Sequence, residues 1–358
     1  MAVIDSVSYA AGSGSMDFDL DEDELALQRA AGDLLDARSS PQQVRAAIAG
    51  DVGYDRALWK SMVDQGWMGV ELDEKRGGLG LGTVAAAVLL EQVGRHVAPA
   101  PFLPSLLALG ALARAADDGV RDAEPWVEQL VSGSAIGCVA WGDGPVVAAP
   151  VADVAVVIGD GVTAVDLTAG ARPSREPAMD LTRPLGWLRA DAGPALTLGG
   201  REAADALVDF GAAYVSAEML GGASRVLELT VEYAKERVQF GRPIGSFQAV
   251  KHRCADMLVD VEGMRSTAYH GAWCLGAAEP DASVAASTAK VWCSDASRRV
   301  MASGLQVHGG IGFTWEHDLH LYLKRSQLDQ VTFGDAAYHR DRIGRLLRPR
   351  VEAGDSIL

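Results

Sequence analysis

After residue 201 the chain carries three long helix-period runs, and no other feature limits its folding so strongly. "AEMLGGASRVLELTVEYAKER" sets Leu220, Ala223, Leu227, Val231 and Ala234 on one stripe, with Arg225, Glu228, Glu232 and Lys235 on the polar side. "SFQAVKHRCADMLVDVEGMRSTAYHGAWCLGA" does the same with Phe247, Val250, Cys254, Met257, Leu258, Val261 and Met264. Cys254 is therefore expected to be a packed core thiol and not a nucleophile. After the break at "EPDA", "SVAASTAKVWCSDASRRVMASGLQV" runs on to "HGGIG". Amphipathic helices of this length on short connectors bury their stripes by packing antiparallel, as a bundle.

Upstream the patterning changes twice. Residues 17–130 read as helices, as in "DEDELALQRAAGDLLDA" and "TVAAAVLLEQVGRHV", broken by the glycine loop "EKRGGLGLG" and stopped at "APAPFLP". Residues 131–200 are Val-rich, short-run and punctuated by Gly, Pro and Asp, the pattern of a small set of strands. The expected fold is thus α+β and mainly α: an N-terminal helical domain (17–130), a shortened β domain (131–200) and a C-terminal four-helix bundle (201–350). Residues 1–16 read as a flexible Gly/Ser-rich tail without a signal-peptide pattern.

Bulk properties exclude several classes. The 358 residues carry 32 basic and 48 acidic side chains, a net charge of −16. Such a surface repels phosphate backbones and anionic lipids, so neither nucleic acid nor membrane is an expected partner. No apolar run reaches transmembrane length, and four cysteines without metal spacing read as free thiols of a cytoplasmic protein.

Two segments interrupt the helical runs in chemically suggestive ways. "RVQFGRPIGSFQAVKHR" crowds Arg237, Arg242, Lys251, His252 and Arg253 onto a tight Gly/Pro connector. Those cations either complement a helix dipole or face a phosphate. "QVHGGIGFTWEHDLHLYLKR" has a glycine turn that either closes a helix or lets a ligand approach the backbone. His308, His317 and His320 do not match a zinc motif, and no metal ligand is assigned.

Together these segments resemble the flavin-dependent acyl-CoA dehydrogenases. "RVQFGRPIGSFQ" is similar to that family's Arg-x-x-Phe-Gly-x-Pro…Gln segment, and "QVHGGIGF" to its Gln-x-x-Gly-Gly-x-Gly turn. "LWKSMVDQGWMGVELDEKRGGLGLGTVAAAVLLEQVGR" resembles its helical opening, so the likeness runs over about residues 20–350. The resemblance implies FAD at a subunit interface, an acyl-CoA substrate and an electron-transferring flavoprotein as acceptor. It also implies that Arg237, Phe240 and Gln248 face the pyrophosphate and adenosine of a neighbour's FAD, with Gln306, Gly309 and Gly310 on the adenine and ribose side.

The same resemblance exposes a gap. The family's α-proton is removed by a carboxylate in a Tyr-Glu-Gly-Thr stretch; here "TFGD" puts Phe333 at that glutamate, and Asp335 falls two positions later. Members that carry the base on an earlier helix place it at about Gly211, where Asp209 is out of phase and Ala212 replaces an arginine. Glu218 reads as a buried glutamate paired across the bundle. The family's flavin-contacting Thr-Glu-Pro…Gly-Ser-Asp stretch has no clear match, and Trp141 is a weak echo of its strand tryptophan. No catalytic residue is therefore assigned. The implied role is the non-catalytic subunit of a heterotetramer with a homologous dehydrogenase, by analogy one acting on a bulky steroid side-chain CoA. The competing readings are a self-sufficient homomeric dehydrogenase using Glu218 or Asp335, and a flavin-free scaffold or acyl-CoA-binding protein.

Overall fold

The computed structural model describes residues 20–354, apart from 171, 190 and 191; the tail expected over 1–16 lies outside them. The first helices start where their caps are. Asp21 and Glu24 form a reciprocal capping box at α1 (Glu22–Arg38), and Ser40 and Gln43 form another at α2 (Pro41–Ala49), with Pro41 opening the first turn. Asp55 accepts from the Ala57 and Leu58 amides to start α3 (Arg56–Asp64). Helices α4 (Gly82–Arg95) and α5 (Phe102–Asp117) are buried on nearly every face, and α6 (Glu124–Val131) completes the helical opening.

The β region follows. Strands β1 (Gly137–Trp141), β3 (Val154–Ile158), β4 (Val162–Asp166) and β6 (Ala195–Gly199) form one sheet in the order β1-β3-β4-β6. Only the β1–β3 pair is parallel. Strands β2 (Val146–Val147) and β5 (Leu185–Gly186) make a two-stranded ribbon. The fold is the expected α+β, mainly helical architecture, with a small sheet between two helical parts.

Helix α7 (Arg201–Glu236) has 36 residues, a rod of about 54 Å. From Gly211 to Ser224 every residue of it is buried. The single-stripe expectation thus understates this helix, because α4, α8 (Gln248–Gly276) and α9 (Ala282–His308) surround it. Helix α11 (Ala336–Ala353) lies along α9, and α10 (Leu319–Val331) packs on both α7 and α9. The α8 stripe is narrower than its sequence suggests. Met257, Val261 and Met264 are buried, whereas Leu258 is 51% exposed and Cys254 is half-buried outside the core. One face of α8 meets α7, α9 and α4, whereas Leu258 and Val259 point outward. Among the described residues no helix is long and apolar enough to cross a membrane.

Helices α4 and α7 cross at two glycines. A Cβ on Gly94 would lie 1.9 Å from the Glu218 carbonyl oxygen, and one on Gly221 1.8 Å from that of Glu91. Backbone carbonyls cannot move aside as a side-chain tip can. Gly221→Ala is therefore expected to cost about 3 kcal/mol of unfolding free energy. Gly344→Ala, on the open face of α11 with nothing within 4 Å of its Cβ, should be neutral or slightly stabilising. Urea titration of the two variants checks the contrast.

Candidate functional site

Between α10 and α11 the chain makes a tight, strained link. Phe333 has φ 55° and Gly334 φ 92°, so an aromatic residue occupies the left-handed region that glycine normally takes. Two things hold it there. The His339 ring Nε2–H donates to the Phe333 carbonyl at 2.7 Å, and the Phe333 ring fills the space beside Gly211. A Cβ on Gly211 would lie 2.4 Å from that ring. Burial lowers the His339 pKa to about 4, with Lys290 and Arg342 adding, so the ring is neutral at pH 7.

Thus the two positions where the family resemblance would put a proton-abstracting carboxylate meet in space, and they hold an aromatic ring packed on a glycine. Trp141, at the end of β1, stacks on Phe333 with ring centroids 6.5 Å apart, and Tyr338 meets Trp141 edge-on at 5.1 Å. The sequence singled out Trp141 only faintly, yet its indole is a wall of the site. A cavity of 390 Å³ opens against these rings. Leu103, Leu107, Val139, Leu328 and Val331 line it further, and Arg183 is its one charged lining residue. Among the described residues no carboxylate lines it.

The other carboxylates are engaged elsewhere. Asp335 caps α11, its Oδ1 accepting from the Tyr338 amide at 2.8 Å. Asp209 is paired with Arg342 and accepts from the Ser283 hydroxyl at 2.6 Å. Ala212 beside it is fully buried. Glu218 is fully buried between two arginines: Arg325 Nη1 donates to its Oε1 at 2.5 Å, and Arg183 pairs with the same oxygen.

The arginines have further partners. Arg325 also bonds Asp180 at 3.2 Å and the Thr182 hydroxyl at 2.6 Å; Arg183 also pairs with Asp329. Burial pushes Asp329 up to about 7 against the pull of Arg183. Lys290 Nζ, fully buried, donates to the carbonyls of Asp329 and Gln330 at 2.9 and 3.0 Å, and burial lowers its pKa to about 7. The sequence reading anticipated the buried pairing of Glu218 but not the rest of this network. A further visible signal is a pair of opposite charges, Arg325 and Asp329, four apart on one helix.

The residues matched to cofactor binding gather at another place. Arg237 ends α7 and is exposed. Hairpin β7–β8 (Val238–Gln239 and Arg242–Pro243) turns through Phe240 and Gly241, both at positive φ, and leaves Phe240 91% exposed. Arg242 lies 4.1 Å over the Phe247 ring, and Gln248 opens α8. At the end of α9, Gln306 and Gly310 are exposed, and Gly309 has φ 62° and ψ −140°, a conformation for glycine alone. Tyr233, one turn before Arg237, stacks on His308 at 4.4 Å, which brings the two segments to one end of the bundle.

This end suits an elongated anion. Arg237 has no carboxylate partner among the described residues, and a Cβ on Gly241, Gly309 or Gly310 would meet nothing, so a ligand has room against the backbone. His308 and His317 have ring centroids 4.7 Å apart, but His308 Nδ1–H donates to the Gly304 carbonyl at 2.8 Å. Among the described residues no group of three His, Cys, Asp or Glu could hold a metal.

Two family models match the chain. The acyl-CoA dehydrogenase N-terminal domain covers residues 21–134, and the acyl-CoA dehydrogenase C-terminal domain covers residues 199–347. Acyl-CoA dehydrogenase IpdE2 of Mycobacterium tuberculosis is 39% identical over 308 residues, 85% of this chain and 91% of that protein. Two solved structures superpose closely. The Tcur3481-Tcur3483 steroid ACAD has a TM-score of 0.85 and 30% identity over 92% of this chain and 99% of the other. The ChsE4-ChsE5 complex from Mycobacterium tuberculosis has a TM-score of 0.84 and 31% identity over 93% of this chain and 99% of the other.

Two substitutions separate structural from catalytic carboxylates. Asp335→Ala should cost about 1 kcal/mol through the lost cap, and Asp335→Asn should restore it. A catalytic Asp335 would instead make both variants inactive. Glu218→Gln leaves Arg183 and Arg325 with surplus buried charge and should destabilise by about 3 kcal/mol. Thermal unfolding read beside dehydrogenase turnover distinguishes these outcomes.

Proposed function

This chain belongs to the acyl-CoA dehydrogenase family, and from that premise we propose that it is the non-catalytic subunit of a heteromeric acyl-CoA dehydrogenase. A homologous partner supplies the carboxylate, and this chain supplies one half of an interfacial FAD site. The observation that carries the reading is the Phe333 ring seated on Gly211: both base positions are filled by apolar groups. Glu218 and Asp335, which a self-sufficient enzyme would need, are an ion-pair member and a helix cap.

The roles of this chain's residues follow from their chemistry. Arg237 presents a permanent, forked cation to a diphosphate. Gly309 and Gly310 let an adenosine approach the backbone, and Gln248 and Gln306 offer amides to its polar edges. Phe240 lays an exposed ring beside them. Held by these residues, FAD would supply a hydride acceptor for the β-carbon of the acyl thioester, while the partner's carboxylate would take the α-proton. Residues 201–350 form the part that faces the partner's cofactor, with residues 17–130 and 131–200 as the helical and β domains behind it.

Exposed apolar side chains mark where a partner would lie. Val238, Phe240, Leu258, Val259, Ile311 and Phe313 are all exposed, Phe313 by 73%, and they belong to the same connector, helix and glycine turn. A free surface of this kind is unfavourable in water and favours association. The apolar cavity beside Phe333, free of a base, supports a bulky acyl group, as does the likeness to a steroid ACAD. A steroid side-chain CoA thioester is the proposed substrate class, with an electron-transferring flavoprotein as acceptor.

Co-expression with a homologous dehydrogenase subunit that carries the glutamate tests the proposal. The isolated chain should show little flavin absorbance, and the co-purified complex a stoichiometric flavin spectrum. Arg237→Ala should weaken FAD retention in the complex by at least about tenfold, the scale of a charge-assisted phosphate contact. Full flavin content in the isolated chain, or turnover by it alone, would sink the heteromer.

A further inference from the structure

Residues 332–335 join α10 to α11, and few bonds hold them. Among the described residues the amides of Phe333, Gly334 and Asp335 donate to no backbone carbonyl. Phe333 and Gly334 both have positive φ, and Val331, just before the link, is 62% exposed. A phenylalanine in the left-handed region stays there only while its surroundings hold it.

Two side chains do the holding, one from each side. Lys290 reaches in from α9, fully buried, and its Nζ donates to the Asp329 and Gln330 carbonyls and to the Ser294 hydroxyl at 3.2 Å. Those carbonyls belong to the last turn of α10, where a helix has no amides of its own to offer them. Lys290 therefore caps α10 from a different helix. Beyond the link, His339 of α11 holds the Phe333 carbonyl itself.

The Phe333 ring separates two spaces. It lines the 390 Å³ cavity beside Trp141, and it covers Gly211 of α7. The three atoms nearest to a Cβ on Gly211 all belong to this ring, at 2.4, 2.5 and 2.7 Å. At Gly221 the nearest atom is a helix carbonyl oxygen, which cannot step aside. At Gly211 it is a side chain on a loosely bonded link, which can.

We propose that the Phe333 ring is a gate, with Lys290 and His339 as its latches. Closed, it seals Gly211 from the cavity. Swung off its seat, it joins the space over Gly211 to the cavity and deepens it toward α7, for an apolar ligand longer than the closed cavity takes. Gly334, at φ 92°, has no Cβ to hinder the turn, and Phe333 gives up the backbone region that suits it least. Lys290 and His339 do not line the cavity, so they are positioning residues that act through the link. The gate is a property of this chain alone and requires neither a partner nor flavin.

Hydrogen exchange of the full chain, read by mass spectrometry on peptides spanning 328–340, tests it. In the closed link the Thr332 amide is bonded to the Leu328 carbonyl, that of Tyr338 to Asp335 Oδ1 and that of His339 to the Asp335 carbonyl. Lys290→Met and His339→Leu should each speed exchange there at least about tenfold, with peptides of α7 and α8 unchanged. His339→Gln, whose side-chain amide keeps a donor, should exchange like the wild type. Gly211→Ala should push the ring from its seat and give the same local rise while the rest of the bundle stays protected. Link exchange unchanged in Gly211→Ala and in both latch variants would overturn the gate. So would a rise spread equally over α7 and α8, which is loss of the whole fold and not a local opening.

Discussion

A glutamate in the middle of a buried helix sets the terms for the rest of this fold. Glu218 is enclosed where α4 and α7 touch through glycines, and an ionised carboxylate there is tolerable only with cations against it. Arg183 comes from the chain just before β5, and Arg325 from α10. Each brings a further requirement, since a buried guanidinium has more donors than one carboxylate can accept. Arg183 takes Asp329, and Arg325 takes Asp180 and Thr182. With Lys290 on the last carbonyls of α10, three cations and three carboxylates close the set among α7, α9, α10 and the β region. Such a network contributes less to stability than to arrangement, because its buried charges meet their partners only when these elements pack together, even though Glu218 Oε2 is left unbonded.

That arrangement decides what the neighbouring cavity can do. Holding the end of α10 in place puts Phe333 two residues further on, against Gly211 and Trp141. The charge of Arg183 at the cavity edge is taken up by Glu218 and Asp329, so the space stays apolar. The ionic core is kept, while an aromatic ring and a glycine stand at the two positions where the family resemblance puts an acid. The opposite end of the bundle shows the complement: an exposed arginine, glycines free of contacts and large exposed apolar side chains. Those features are costly to an isolated subunit and useful to an assembled one.

Much of this was legible along the chain. The helix–strand–helix order followed from hydrophobic periodicity, and the cofactor-type segments stood out as charge and glycine clusters between helices. Phe333, Gly211 and the pairing of Glu218 were each noticed singly. The α8 stripe was overread, since Leu258 and Cys254 share the helical phase of Met257 and Val261 but not their burial. Periodicity reports which residues share a face and is silent on how much of that face a neighbour covers.

The sequence by itself determined the elements, their order and the residue types at each motif, because helix caps, glycines and apolar spacing act over a few residues. Only the tertiary structure decided that Phe333 rests on Gly211, and that Asp180, Arg183, Glu218, Arg325 and Asp329 form one buried set. Most of those contacts join residues more than a hundred positions apart, and the seat of Phe333 also turns on a backbone angle that no local pattern specifies. A carboxylate's role depends on its partners and its water, and both are properties of the packed chain.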